Sequence, residues 1–140
     1  IPNILAAGLE KKPVSVYGKN HPTRDGSCVR DFIHVQDLSE GHWFALKYLQ
    51  TQAPGFNDAV NLGSGQGQSV LEVIEAARKE WGLKLQVKFE APREGDPPEL
   101  VAQIEKAARI LGWRPKLTLE AILHSHWEWE QRRRTMRKSP

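Results

Sequence analysis

SVLEVIEAARKEWGLKLQVKFE, residues 69–90, changes its hydrophobic period partway along, and that change decides the fold class. Ser69 with Glu72 three positions on forms a capping box, in which the hydroxyl and the carboxylate each satisfy an amide that the first helical turn leaves free. Val70, Val73, Ile74, Ala77 and Trp81 then recur at helical spacing until Gly82, a residue suited to the left-handed conformation that closes a helix. Beyond it Leu83, Leu85, Val87 and Phe89 alternate with Lys84, Gln86, Lys88 and Glu90, which predicts a strand with one buried face. A capped helix running straight into a strand points to an α/β architecture.

The same alternation extends in both directions. Upstream, Val60 to Leu62 reads as a short strand ending in Gly63, and Asp37 with Glu40 as a second capping box. The helix it starts carries Leu38, His42, Ala45, Leu46 and Leu49 on one face. Phe32 to Val35 and Val14 to Tyr17 are β-prone, the latter followed by a loop rich in Gly, Asn, Pro and Asp. A short helix after Pro2, with Ile4, Leu5 and Leu9, ends at Lys11, Lys12 and Pro13. Downstream, Ile104, Ala107, Ala108 and Leu111 mark a helix ending at Gly112, and Thr118 caps a last helix bearing Leu119, Ile122, Leu123 and Trp127. The strands are too few and too dispersed to make a complete sheet.

The chain has 140 residues, 39% hydrophobic and 26% charged, the composition of an ordinary folded domain. Its net charge is +3, but Arg132, Arg133, Arg134, Arg137 and Lys138 supply five of the twenty basic residues, leaving fifteen against seventeen acidic ones over residues 1–131. The excess sits in a terminal run rather than on a basic face with interleaved aromatics, which argues against a nucleic-acid partner. Residues 1–131 are accordingly read as one folded part and 132–140 as a flexible basic tail. No apolar run approaches the ~20 residues needed to cross a bilayer, and the first residues lack the order of a signal peptide, so no membrane association and a cytoplasmic location are expected. Cys28, the sole cysteine, can form neither an internal disulfide nor a zinc site of ordinary spacing. Ile1 is not a start residue and Pro2 suits a first helical turn entered from upstream, so the chain is expected to be part of a longer one.

Three segments concentrate chemistry. Gly63-Ser64-Gly65-Gln66-Gly67 lies between a strand and a helix, but a dinucleotide fingerprint from Gly63 needs glycine where Gln68 stands, so the loop reads as a tight turn into the Ser69 cap. VRDFIHVQDL, residues 29–38, gathers Arg30, Asp31, His34 and Asp37. Asp37 is accounted for as a cap and His34 as a half-buried histidine, whereas the rigid five-donor fork of Arg30 suits a phosphate. APREGDPPEL, residues 91–100, projects Arg93 and Asp96 from a backbone stiffened by Pro92, Pro97 and Pro98. An Arg93–Asp96 surface ion pair is the plain alternative, worth only about 0–1 kcal/mol. His124 and His126 face different sides of their helix, a poor metal arrangement, and Trp127 and Trp129 read as packing residues.

Taken in order, SVYG, NHPTRDGSCVRDFIHVQDLSEGH, NLGSGQGQSVLEVIEA, APREGDPPELVA and LGWRPKLTLEAI resemble the latter part of UDP-glucose 4-epimerases, members of the extended short-chain dehydrogenase/reductase group. The resemblance covers the chain up to about Gln131. It implies a carboxy-terminal substrate domain whose short elements complete an upstream Rossmann domain. By the same resemblance Arg30 and Arg93 grip the diphosphate of a UDP-sugar and Asp96 holds its ribose. Tyr17 flanks the uracil, the backbone of Val14, Ser15 and Val16 reads the base edge, Phe32 and Val70 line the cleft, and Leu100 bounds the sugar pocket. Leucine there, where relatives carry a bulky tyrosine or something smaller, leaves room for an N-acetyl group.

Two departures stand out. Pro92-Arg93 replaces a pair of arginines, and Gln103 replaces an aspartate that caps the next helix. The family's GxxGxxG for NAD and its Tyr-x-x-x-Lys pair are absent, since the residues four beyond Tyr17 and Tyr48 are His21 and Gln52. The resemblance thus implies the UDP-sugar-binding portion of an NAD-dependent UDP-glucose/UDP-galactose 4-epimerase of galactose metabolism. NAD and the catalytic residues then lie in an amino-terminal half outside this chain, and the whole enzyme is a homodimer. The alternatives are another nucleotide-sugar epimerase, decarboxylase or dehydratase, or a non-catalytic nucleotide-binding module; the RDFIHV segment with His34 and His42 favours the first reading.

Overall fold

The computed structural model describes residues 1–136. Helix α1 (Pro2–Glu10) places Pro2 in its first turn and closes on Lys11 in the left-handed conformation. Strand β1 (Val14–Tyr17) follows, then β2 (Val29–Asp31), helix α2 (Val35–Gln50), β3 (Gly67–Ser69), α3 (Val70–Trp81), β4 (Val87–Glu90), β5 (Glu99–Leu100), α4 (Glu105–Leu111) and α5 (Leu119–Met136). Strands β1 and β4 pair in parallel from Val14↔Val87 to Tyr17↔Glu90. In a second sheet of order β3-β2-β5, β2 runs antiparallel to β3 and parallel to β5, with Arg30 opposite both Gln68 and Leu100.

Two cores hold these elements. The larger buries Ile4, Leu5, Val14, Val16, Val73, Ile74, Ala77, Leu85 and Leu123, so α1, α3 and α5 close around the β1–β4 pair. On its rim the indole of Trp81 stacks on Trp127 with centroids 4.9 Å apart and 16° between planes. The smaller core gathers Ala107, Leu111 and Trp113 against Phe44, Ala45, Tyr48, Val60 and Leu62. Helix α2 can approach it because Gly41 has no side chain: a Cβ there would lie 2.9 Å from a methyl of Leu62.

The α3 unit matches its sequence signature. Ser69 accepts from Glu72 N at 3.1 Å while Glu72 accepts from Ser69 N at 2.8 Å, and Gly82 closes the helix at φ 61°. Elsewhere the structure corrects the sequence reading. The strand predicted over Phe32–Val35 lies three residues earlier, at Val29–Asp31, where backbone partners exist on both sides. Val60–Leu62 forms no ladder and instead packs on the smaller core, while the pairing strand is Gly67–Ser69. The alternation after Gly82 yields a strand only from Val87, where its partner β1 begins at Val14 just past Pro13, and the carbonyl of Leu85 is taken by Arg78. Phe89, expected inside, is 41% exposed.

Helix α2 is capped by His34, not Asp37. Nδ1 of His34 accepts from Gln36 N at 3.0 Å, which leaves the proton on Nε2 to meet Ser125 Oγ at 2.9 Å. Asp37 is buried in the first turn and accepts from the amides of Lys116 and Leu117 at 3.0 and 2.8 Å, fastening α2 to the segment before α5. Helix α5 continues through the arginine run to Met136, so the boundary expected at residue 132 does not mark the end of helical structure. Buried Glu130 accepts from Arg133 and Arg134, and these hydrogen bonds hold its carboxyl down to about 2. Residues 137–140 of the expected basic tail lie outside the described residues.

Candidate functional site

The connection from β4 to β5, residues 91–98, joins the two sheets and carries the two charges that stood out in the sequence. Prolines restrict its backbone, Asp96 N donates to Arg93 O at 3.3 Å around Gly95 at φ 75°, and its far end is fixed by Val29 N donating to Pro98 O at 2.8 Å. The loop therefore presents Arg93 toward one sheet and Asp96 toward the other.

Arg93 lies over Tyr17, the last residue of β1, with the guanidinium carbon 3.7 Å from the ring centroid. A flat cation on an aromatic face keeps its N–H edge available for an anion. Asp96 pairs not with Arg93, as the plain alternative had it, but with Arg30 on β2. The second arm of Arg30 donates to Val29 O at 2.7 Å, and Cys28 Sγ lies 3.9 Å from the other oxygen of Asp96. Both members of the pair are partly shielded, at 22% and 29% exposure, so the charges interact more strongly than on an open surface. Leu100 stands opposite Arg30 in the β2–β5 register and is 61% exposed.

The remaining expected residues fall into two groups. Val14 and Val16 send their side chains into the larger core and Ser15 faces out, while β4 is the only strand beside β1 among the described residues. The other backbone edge of β1 thus has no ladder partner within them. Phe32 and Val70 are half-buried and pack on the larger core. Phe32 also lines a cavity of about 370 Å³ with Gln66, Gln68 and Leu117. Tyr17, Arg30, Arg93, Asp96 and Leu100 do not line it.

The sequence reading assigned no role to Asp31, yet its carboxylate accepts from the amides of Ser64 at 2.7 Å, Gly65 at 3.0 Å and Ala102 at 3.1 Å. It binds the glycine loop and the exit of β5 to β2, directly beside Arg30. A Cβ on Gly63 would lie 2.5 Å from both Asp31 Oδ2 and Ala102 Cβ, so glycine is required there by the close approach. An acidic residue next to a glycine-rich loop's free amides was the available signal, but the spacing of 33 residues concealed it.

The amino terminus of α3 is the one place where the glycine loop could offer amides to a dinucleotide diphosphate. It is already filled. Ser69 and Glu72 occupy it as the capping box, Asp25 accepts from Ser69 Oγ, and Arg24 pairs with Glu72 and donates to Gly67 O at 2.9 Å. The hydrogen bonds from Arg24 hold the Glu72 carboxyl below its usual range, so this end carries negative charge. The residues at this helix end do not fit a dinucleotide diphosphate.

The family model described as GDP-mannose 4,6 dehydratase matches residues 1–126. The UDP-glucose 4-epimerase of Halalkalibacterium halodurans is 41% identical over 133 residues, covering 94% of this chain and 39% of that protein. Among solved structures, the UDP-glucose 4-epimerase of Stenotrophomonas maltophila, with bound NAD and formylated UDP-arabinopyranose, superposes with a TM-score of 0.86 at 35% identity over 97% of this chain and 39% of that one. That of Bifidobacterium longum, in complex with NAD+ and UDP, gives the same TM-score and identity over 94% and 38%. The chain thus spans about two-fifths of the length of the relatives it matches.

Proposed function

This chain belongs to the GDP-mannose 4,6 dehydratase family, where it corresponds to the carboxy-terminal part of UDP-glucose 4-epimerases, and on that premise we propose that it is the UDP-sugar-binding portion of an NAD-dependent UDP-glucose/UDP-galactose 4-epimerase. The observation that carries the reading is the loop 91–98, which sets Arg93 on Tyr17 and Asp96 on Arg30. One stiff segment thereby gathers an aromatic for a base, a carboxylate for ribose hydroxyls and two guanidinium groups for a diphosphate. In this reading Val14, Ser15 and Val16 offer their unpaired backbone edge to the uracil beside Tyr17, Phe32 and Val70 line the cleft, and Leu100 bounds the sugar.

Inverting a stereocentre on the hexose requires the sugar to present both faces to the same reacting groups while the nucleotide stays fixed. Anchoring energy therefore belongs on the UDP. Two charge-assisted arginine contacts at about 1.5–3 kcal/mol each supply much of it. NAD and the proton-transferring residues belong to the part of the whole protein outside this chain, in keeping with the closed end of α3. The whole protein is read as a cytoplasmic homodimer without nucleic-acid or membrane partners; its mass in solution tests the dimer.

Calorimetry with UDP on the whole protein tests the site. Arg30→Ala or Arg93→Ala weakens UDP binding by about 1.5–3 kcal/mol, roughly ten- to more than hundredfold, with NAD content unchanged. UDP affinity equal to the parent's in either variant removes that arginine from the diphosphate. At Leu100, the exposed leucine leaves space for an N-acetyl group, so the whole protein accepts UDP-N-acetylgalactosamine and Leu100→Tyr lowers its kcat/KM relative to UDP-galactose. An unchanged ratio shows that residue 100 does not touch the sugar.

A further inference from the structure

The two guanidinium groups of the site are not in the same state. Arg93 rests on Tyr17, its charge met by a ring face and its donors still free to turn toward an anion. Arg30 is committed: one arm donates to the Val29 carbonyl at 2.7 Å and the other is paired with Asp96. An anion approaching this face finds one arginine available and one already holding a carboxylate.

We propose that Asp96 is a specificity-determining residue that occupies Arg30 until a ligand bearing both a diphosphate and an adjacent sugar diol replaces it. The proposal rests on the UDP-sugar reading of the site. An anion without a diol, such as inorganic pyrophosphate, can reach Arg30 only by breaking the ion pair. It then leaves a partly shielded carboxylate unpaired and close to its own negative charge, and both effects oppose binding. A nucleoside diphosphate breaks the same pair but offers ribose hydroxyls, which donate to the released carboxylate. The exchange is then close to balanced, and the diphosphate contacts appear as net affinity. Gly95, at φ 75° beside Asp96, is a backbone position where the loop can adjust during the exchange. The device rejects the small phosphates by making the site's own acid their competitor.

The test is calorimetry on the whole protein with inorganic pyrophosphate and with UDP, for the parent, Asp96→Asn, Arg30→Ala and Glu94→Gln. Asp96→Asn keeps the shape of the side chain and removes its charge, so pyrophosphate binds roughly three- to tenfold tighter while UDP affinity changes by less than about twofold. Glu94→Gln removes a negative charge from the same loop and changes pyrophosphate affinity by less than about twofold. Arg30→Ala weakens UDP. If Asp96→Asn leaves pyrophosphate unchanged or weaker while Arg30→Ala still weakens UDP, the gate is wrong and the site reading survives. An equal gain from Glu94→Gln also overturns the gate, since bulk charge then explains it. If Arg30→Ala affects neither ligand, the site reading fails and the gate with it.

Discussion

Helices α3 and α2 carry comparable apolar content and cover it to different extents. Val73, Ile74 and Ala77 of α3 are fully buried, and the helix closes one wall of the larger core. On α2 the residues buried deepest are Asp37 and Gly41, while Val35, Trp43, Leu46 and Leu49 face outward, Trp43 under the ammonium of Lys47. The inner face of α2 packs Phe44, Ala45 and Tyr48 on the smaller core and is fastened by a carboxylate clasp on Lys116 N and Leu117 N and by the close approach at Gly41. Apolar periodicity tells which residues share a face; whether that face is covered depends on partners far away in the sequence.

The largest way to break this comparison is through the cores. Ile74→Ala removes a fully buried side chain and costs about 2–5 kcal/mol in denaturant unfolding, whereas Leu46→Ala or Leu49→Ala on the outer stripe costs no more than about 0.5 kcal/mol. A Leu46→Ala cost near that of Ile74→Ala means the stripe is covered in solution. Next comes the clasp. Asp37→Ala leaves two amides without their acceptor and costs about 1–3 kcal/mol, with Asp37→Asn losing less because both amides donate to one oxygen, Oδ2, whose place an amide oxygen can take. Equal stability of the alanine variant and the parent sinks the clasp as the fixing contact of α2.

The smallest effect concerns α5. Its Glu130 carboxyl is held at about 2 against an ordinary 4.5 by hydrogen bonds from Arg133 and Arg134. A depressed folded value adds stability that is fully present above about pH 4.5 and is lost as the pH falls toward 2, because the unfolded chain takes up the proton first. Melting temperatures followed across that window fall less steeply in Glu130→Gln than in the parent. An unchanged slope shows that Glu130 does not contribute to the acid limb.

What the sequence made legible follows the range of the interactions. The Ser69–Glu72 cap, Gly82 and Gly112 as helix ends, and the apolar face of α3 are local signals and stand as read. The register of β2, the pairing of Gly67–Ser69 in place of Val60–Leu62, and the partner of Asp37 depend on contacts separated by tens of residues, which no window of sequence contains. At the candidate site the unusual density of charge around Arg30, Arg93 and Asp96 was visible. The pairing was not: proximity along the chain suggested Arg93 with Asp96, while the fold brings Asp96 to Arg30 across 66 residues.

The stacked indoles of Trp81 and Trp127 make the seam between α3 and α5 observable. Two chromophores held nearly parallel 4.9 Å apart, with the His124 ring edge-on to the first at 5.5 Å, absorb as a coupled pair rather than as independent side chains. Their near-ultraviolet circular dichroism reports the separation of two helices and not the helical content of either. Helix α5 can therefore be seen to part from the core, without a label, while the far-ultraviolet spectrum still records intact helices.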